Sequence, residues 1–278
     1  MFPMKNGLIL LLLAMVLVPS VGAIPSGGDM PPSFTYRSGN WYDDWGITRD
    51  SAEGDDGYLP LLFSETIEEN AELAWSIGED FHDQYSSANS RADAILSYVQ
   101  RWTKYGYDED NVVMGREAQV EWAWNADETA NSFDPERGIV AIGDCEDLAF
   151  LSATIYSGAG YEIAIIDAVD HVALLVWLPD YPNANVYWDL SGDDRGAGWI
   201  WVEATGSENP VGWTPSDYFE NYWSAYTYSD GKYHHYEPIW DDNVNVDDGD
   251  GSGSFDIDLD LILLVVFILF IIFSKIRR

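Results

Sequence analysis

The only cysteine of this 278-residue chain, Cys145, lies in the run Ile142-Gly143-Asp144-Cys145-Glu146-Asp147-Leu148-Ala149. Glycine and aspartate end the preceding loop, and the apolar pattern that follows is helical. The thiol therefore falls on the first turn of a helix, where unpaired N–H groups and the helix dipole favour a thiolate. Asp144, Glu146 and Asp147 work the other way, and an imidazolium close by would restore the balance. His171 can supply one, at the start of the strand-like run HVALLVW after the turn Ala168-Val169-Asp170. A third group must orient the ring. Two acids stand at strand ends: Asp189 in Tyr187-Trp188-Asp189-Leu190 and Glu203 in Trp201-Val202-Glu203-Ala204-Thr205. Such a set suits attack of sulfur on an amide or peptide carbonyl. One cysteine excludes an internal disulfide framework and any multi-cysteine zinc or iron–sulfur site. His82, His234 and His235 show no ligand spacing, so neither a metal nor a cofactor is expected.

The elements that must hold these groups can be read from the patterning. Residues 30–63 are loop-like. A helix is expected over 64–82, with Ser64 as its cap. A second covers 90–104, capped by Ser90, with Ala94, Ile95, Tyr98, Val99 and Trp102 on its apolar stripe. A third covers 145–157 and stops at Gly158 and Gly160. The period then shortens, and 161–167, 171–178, 186–190 and 199–204 read as strands. Helices followed by a strand meander predict an α+β fold: a helical half, then an antiparallel sheet.

Charge and hydropathy place this domain in its setting. The chain has 48 acidic residues against 13 Lys and Arg. All of the acids lie between 24 and 260, so a nucleic-acid partner is excluded. Disorder is the usual reading of so much charge, but 13 Trp and 17 Tyr argue for a folded core. An acidic skin with almost no lysine matches secreted proteins adapted to concentrated salt, where the Debye length is only about 3 Å. Residues 1–23 read as a secretory signal: Lys5, an apolar run over 8–18, Pro19 and the small residues Gly22-Ala23. The run 261–274 reads as a transmembrane helix, preceded by Asp256, Asp258 and Asp260 and followed by a basic cytoplasmic tail, 275–278. Residues 241–260 form an acidic, Gly/Ser-rich flexible tether. The expected product is a single-pass type I protein of the cell membrane. Its 30–240 domain faces outside, the lipid bilayer holds its C-terminal helix, and a protein or peptide substrate is met at the cell surface.

The segments GDCEDLA, DHVALLVW and WIWVEATG, in that order, resemble the core of the transglutaminase-like cysteine protease superfamily. The resemblance covers about 90–215. It implies a papain-like core with Cys145 as nucleophile, His171 as base and Glu203 as third member, with Asp189 as the alternative. Family members most often carry Asp at the third position. Upstream, Trp122-Ala123-Trp124-Asn125-Ala126-Asp127 resembles the segment that precedes the cysteine in archaeal members, which often have Gln and Pro where this chain has Asn125 and Ala126. Asn125 is thereby a candidate for the oxyanion site. The implied activity is amide or peptide chemistry through an acyl-thioester, ending in hydrolysis or acyl transfer. The alternative is a non-catalytic extracellular binding module that retains the fold.

Overall fold

The computed structural model describes residues 33–236, apart from 53, 69–71, 220 and 230. The expected signal segment, tether, membrane helix and basic tail lie outside the described residues. Among the described residues, no helix is long and apolar enough to cross a membrane.

The chain opens with a hairpin of β1 (Thr35–Arg37) and β2 (Asn40–Tyr42). Helices α1 (Tyr58–Glu68), α2 (Glu72–Gln84) and α3 (Ala88–Trp102) follow. Next come β3 (Thr103–Tyr105), the single turn α4 (Asp108–Asn111), and the hairpin of β4 (Val113–Met114) and β5 (Glu117–Ala118). Short α5 (Ala126–Asn131) leads to β6 (Ala141–Gly143), which pairs in parallel with β3. The helix α6 (Cys145–Gly158) comes next, then β7 (Ile163–Ala168), β8 (His171–Trp177) and β9 (Trp199–Val202). A 3-10 turn at Ser216–Phe219 precedes β10 (Trp223–Thr227) and β11 (Lys232–Tyr236). The last five strands make one antiparallel sheet, in the order β11-β10-β7-β8-β9. The fold is α+β, as expected.

Strand alternation gives the sheet two faces. Ile163, Ile165, Val172, Leu174, Val176, Ile200 and Val202 point to the helices and join their core. Ala164, Ile166, Ala173, Leu175, Trp199, Trp201 and Trp223 point the other way, where Trp188 and Leu190 cover them. The central helix is α6, buried from Glu146 to Tyr156. Two glycines let α2 cross it at backbone contact. A Cβ at Gly78 would sit 2.2 Å from the Ile155 carbonyl, and one at Gly158 would sit 2.3 Å from that of Trp75.

Several expectations need correction. The stretch 64–82 holds parts of two helices, and the first of them already starts at Tyr58, inside the expected loop. Ser87 caps α3 in place of Ser90, its Oγ accepting from the Ser90 N–H at 3.4 Å. Residues 186–190 form no strand; Trp188 makes only an isolated bridge to Trp199, and its ring lies on the outer sheet face. Strands β10 and β11 had not been anticipated, and neither had the β3–β6 pair.

Candidate functional site

Cys145 is the first residue of α6, with Asp144 as its N-cap. The Asp144 N–H donates to the Asp147 carboxylate at 3.3 Å, which ties the cap to the first turn. A second N–H, from Trp124, donates to the other Asp147 oxygen at 2.7 Å. Gly143 is needed immediately before this turn, because a Cβ there would lie 2.6 Å from Asp147 Oδ2.

The sheet supplies the partners. His171 opens β8, and Leu174 pairs with Val202 on β9. Continuing that antiparallel register sets residue 203 opposite 173, one diagonal step from 171 on the same face, a distance long side chains span. His171 Nε2 and Glu203 Oε2 are 2.9 Å apart, both groups nearly shielded from water. The Cys145 thiol lies near enough to the same imidazole to raise its pKa. With Nε2 committed to Glu203, Nδ1 is the nitrogen left for sulfur. The structure therefore brings Cys145, His171 and Glu203 together. Asp189 is exposed and makes no hydrogen bond or ion pair among the described residues.

Glu203 is itself fixed in place. Its Oε1 accepts the Thr205 N–H at 3.1 Å and the Thr205 hydroxyl at 2.5 Å, and its Oε2 also accepts from Trp201 Nε1 at 3.3 Å. Burial works to raise its pKa, yet the His171 bond and charge, with the Thr205 donors, hold it below the ordinary carboxylate value. The imidazole shows the matching shift. Burial works to lower its pKa, but hydrogen bonds to Cys145 and Glu203 and the negative charge of both push it up to about 9. Around neutral pH the ring is therefore an imidazolium paired with the Glu203 carboxylate. Tyr218, from the 3-10 turn, stacks on the His171 ring with centroids 5.5 Å apart and on Trp201 at 4.8 Å. Burial, with Glu203 and Cys145 nearby, pushes the Tyr218 phenol up to about 12, so it stays neutral.

The other flank of the thiol is acidic and dry. Cys145 Sγ donates to Glu146 Oε2 at 3.3 Å. Burial first, and then neighbouring carboxylates, raise Glu146 and Asp147 well above the ordinary range. Burial, then the Asp144 charge, carries Asp108 up to about 8 despite the Trp122 N–H it accepts. Tyr58 closes this side, its hydroxyl donating to Glu121. Ligand atoms of Asp144, Cys145 and Glu146, and those of Asp108, Asp144 and Asp147, lie within 4.8 Å of one another. The all-oxygen set has the donors a hard cation prefers. Asp108 and Asp147 already spend oxygens on backbone N–H groups, however, so the fit is partial.

Asn125 caps α5. Its Oδ1 accepts the Glu128 N–H at 2.8 Å while Glu128 Oε2 accepts the Asn125 N–H at 2.7 Å. Its Nδ2 is buried and finds no acceptor among the described residues. Beside it lies a buried ion pair. Arg49 contacts Asp43 at 3.0 Å and Glu128 at 2.7 Å, and donates to the Ala123 carbonyl at 2.8 Å.

No family model, curated protein or solved structure matches this chain. Sequence reasoning missed Tyr218 and Trp201, and took Thr205 only as part of the Glu203-Ala204-Thr205 motif, not as a donor to the carboxylate. Thr205 sits two residues after Glu203 and was legible as a local side-chain donor. Tyr218 lies in a segment with no pattern that pointed to the imidazole.

Proposed function

We propose that this chain is an extracellular, membrane-anchored thiol enzyme of transglutaminase-like, papain-like type, acting on amide or peptide bonds. One observation carries the reading: a half-buried imidazole held on Nε2 by the Glu203 carboxylate, with the chain's one thiol near enough to act on the same ring. The Cys145 thiolate attacks the carbonyl carbon. The Cys145 N–H, a first-turn donor free of an intrahelical partner, receives the oxyanion. The second donor we assign to Asn125 Nδ2, whose segment is tied to the first turn of α6 through Trp124. His171 gives its proton to the leaving amine, and an acyl-thioester remains. Water deprotonated by His171 then completes hydrolysis, or an amine completes transfer. Glu203 stays ionised throughout and holds the ring.

The test is covalent labelling of the full chain, in detergent and molar salt, with a chloroacetamide probe read by intact mass. Fast labelling at Cys145 that collapses in His171→Ala supports an activated thiol. Labelling undiminished in His171→Ala sinks the proposal and leaves the binding-module reading.

A further inference from the structure

A groove of about 460 Å³ is lined by Trp124, Thr129 and Ser132 and by Val140, Ala141 and Ile142 of the β6 segment, the last of them three residues before the nucleophile in sequence. The apolar wall is open to solvent: Val140 is 40% and Ile142 45% exposed, and Ile139 just before it is 47% exposed. In a chain with an acidic skin, exposed β-branched residues at 139, 140 and 142 are an anomaly that salt adaptation does not explain.

The backbone of this wall is equally unused. The Gly106 N–H donates to the Gly143 carbonyl at 3.0 Å, so Gly143 directs its backbone groups toward β3. Alternation turns those of Ile142 and Val140 away from β3. Among the described residues the β3–β6 sheet has two strands only, and the Val140 and Ile142 backbones take part in no hydrogen bond. Upstream, the reciprocal Asp134–Ile139 bonds close the edge at its start. Downstream, the edge passes through Gly143 and Asp144 straight to Cys145. An open strand edge with an apolar flank accepts an extended peptide by strand addition: main-chain bonds give affinity and alternate side chains enter the groove. The one carboxylate in the groove, Glu128, is already paired with Arg49, so the occupant needs no charge.

We propose that the free edge of β6 is the substrate-docking strand of this site, and that the substrate is an extended, uncharged peptide segment with apolar side chains, paired with Val140 and Ile142. The proposal rests on the thiol-enzyme reading and adds what that enzyme binds.

The experiment uses the full chain in detergent and molar salt with the tetrapeptide aldehyde acetyl-Ala-Val-Ala-Val-H. The Cys145 thiol adds across the aldehyde, sulfur bonding to carbon and the proton passing to oxygen, and no other reactant is consumed. A set of isomers carries one N-methyl group at each successive residue. Strand addition directs every second peptide N–H to β6. Methylation there should weaken binding about five- to tenfold, the worth of one neutral hydrogen bond, while methylation at the intervening residues changes it less than about twofold. In Ile142→Pro, which removes an edge N–H, that alternation should flatten. Equal sensitivity at successive positions, or none, overturns the docking strand. Chloroacetamide labelling of the same preparation separates the two levels. A reactive Cys145 without alternation refutes strand docking alone. An inert Cys145 refutes the enzyme and the docking strand with it.

Discussion

Replacing Glu203 by Gln keeps the shape of the side chain and its contact with His171 while removing the charge. In the native protein the imidazole is lifted from 6.5 to about 9. At about 1.4 kcal/mol per unit, that rise corresponds to roughly 3 kcal/mol of preference for the imidazolium. Cys145 and Glu203 share it, and a buried hydrogen bond to a charged group is worth about 1.5–3 kcal/mol. The substitution should therefore lower the His171 midpoint by about one to two units. Burial, the largest single influence and a lowering one, is then opposed by Cys145 alone. The protein has four histidines, so the imidazole Cε1 resonances of labelled protein form a four-line spectrum in which His171 is assigned by its loss in His171→Asn. The stability effect has a defined window. The raised His171 value contributes fully below 6.5 and is lost as pH rises through about 9. The lowered Glu203 value contributes above 4.5 and is lost as pH falls below it. The difference in unfolding free energy between native and Glu203→Gln should thus peak between those two ordinary values and close in alkaline solution. A native midpoint at or below 6.5, or one that Glu203→Gln leaves in place, would refute the ion pair.

Other substitutions test the scaffold. Arg49→Met leaves the Asp43 and Glu128 carboxylates buried without their cation and should cost about 3–5 kcal/mol in denaturant unfolding. A loss under about 1 kcal/mol would mean that water reaches the pair. Gly78→Ala drives a Cβ to within 2.2 Å of the Ile155 carbonyl, so its melting temperature in molar salt should fall sharply; an unchanged melting curve would disprove the close crossing of α2 and α6. Tyr218→Leu removes the ring stacked on His171. An aromatic pair is worth about 0.5–1.5 kcal/mol, so Cys145 labelling should slow roughly two- to tenfold with little change in unfolding. An unaltered rate would relegate Tyr218 to packing.

Legibility followed the range of the interaction. The helix at Cys145 could be read because its signal is local: a glycine and an aspartate, then an apolar run, and α6 starts at that residue. Strands β7, β8 and β9 carry their own alternation and lie within a residue or two of the expected positions. The choice between Asp189 and Glu203 was not local. Both follow strand-like runs, and only the pairing of β8 with β9 sets one beside the ring and leaves the other in solvent. Residues 186–190 misled because Trp188 and Leu190 alternate like a strand while serving as a cover for the outer sheet face. The β3–β6 pair left no mark because three-residue strands carry too few positions to show a period.

That short parallel pair also bears on when the site comes into being. It joins residue 103 to residue 141, across the whole excursion through α4, the small hairpin and α5. That separation of 38 residues is close to the 32 between His171 and Glu203, so the two closures carry a similar loop entropy. Neither half of the site is complete in any local stretch of chain. A nascent chain would thus carry an unaligned thiol until both closures are made. With no second cysteine in the chain, that waiting thiol has no intramolecular disulfide partner to divert it.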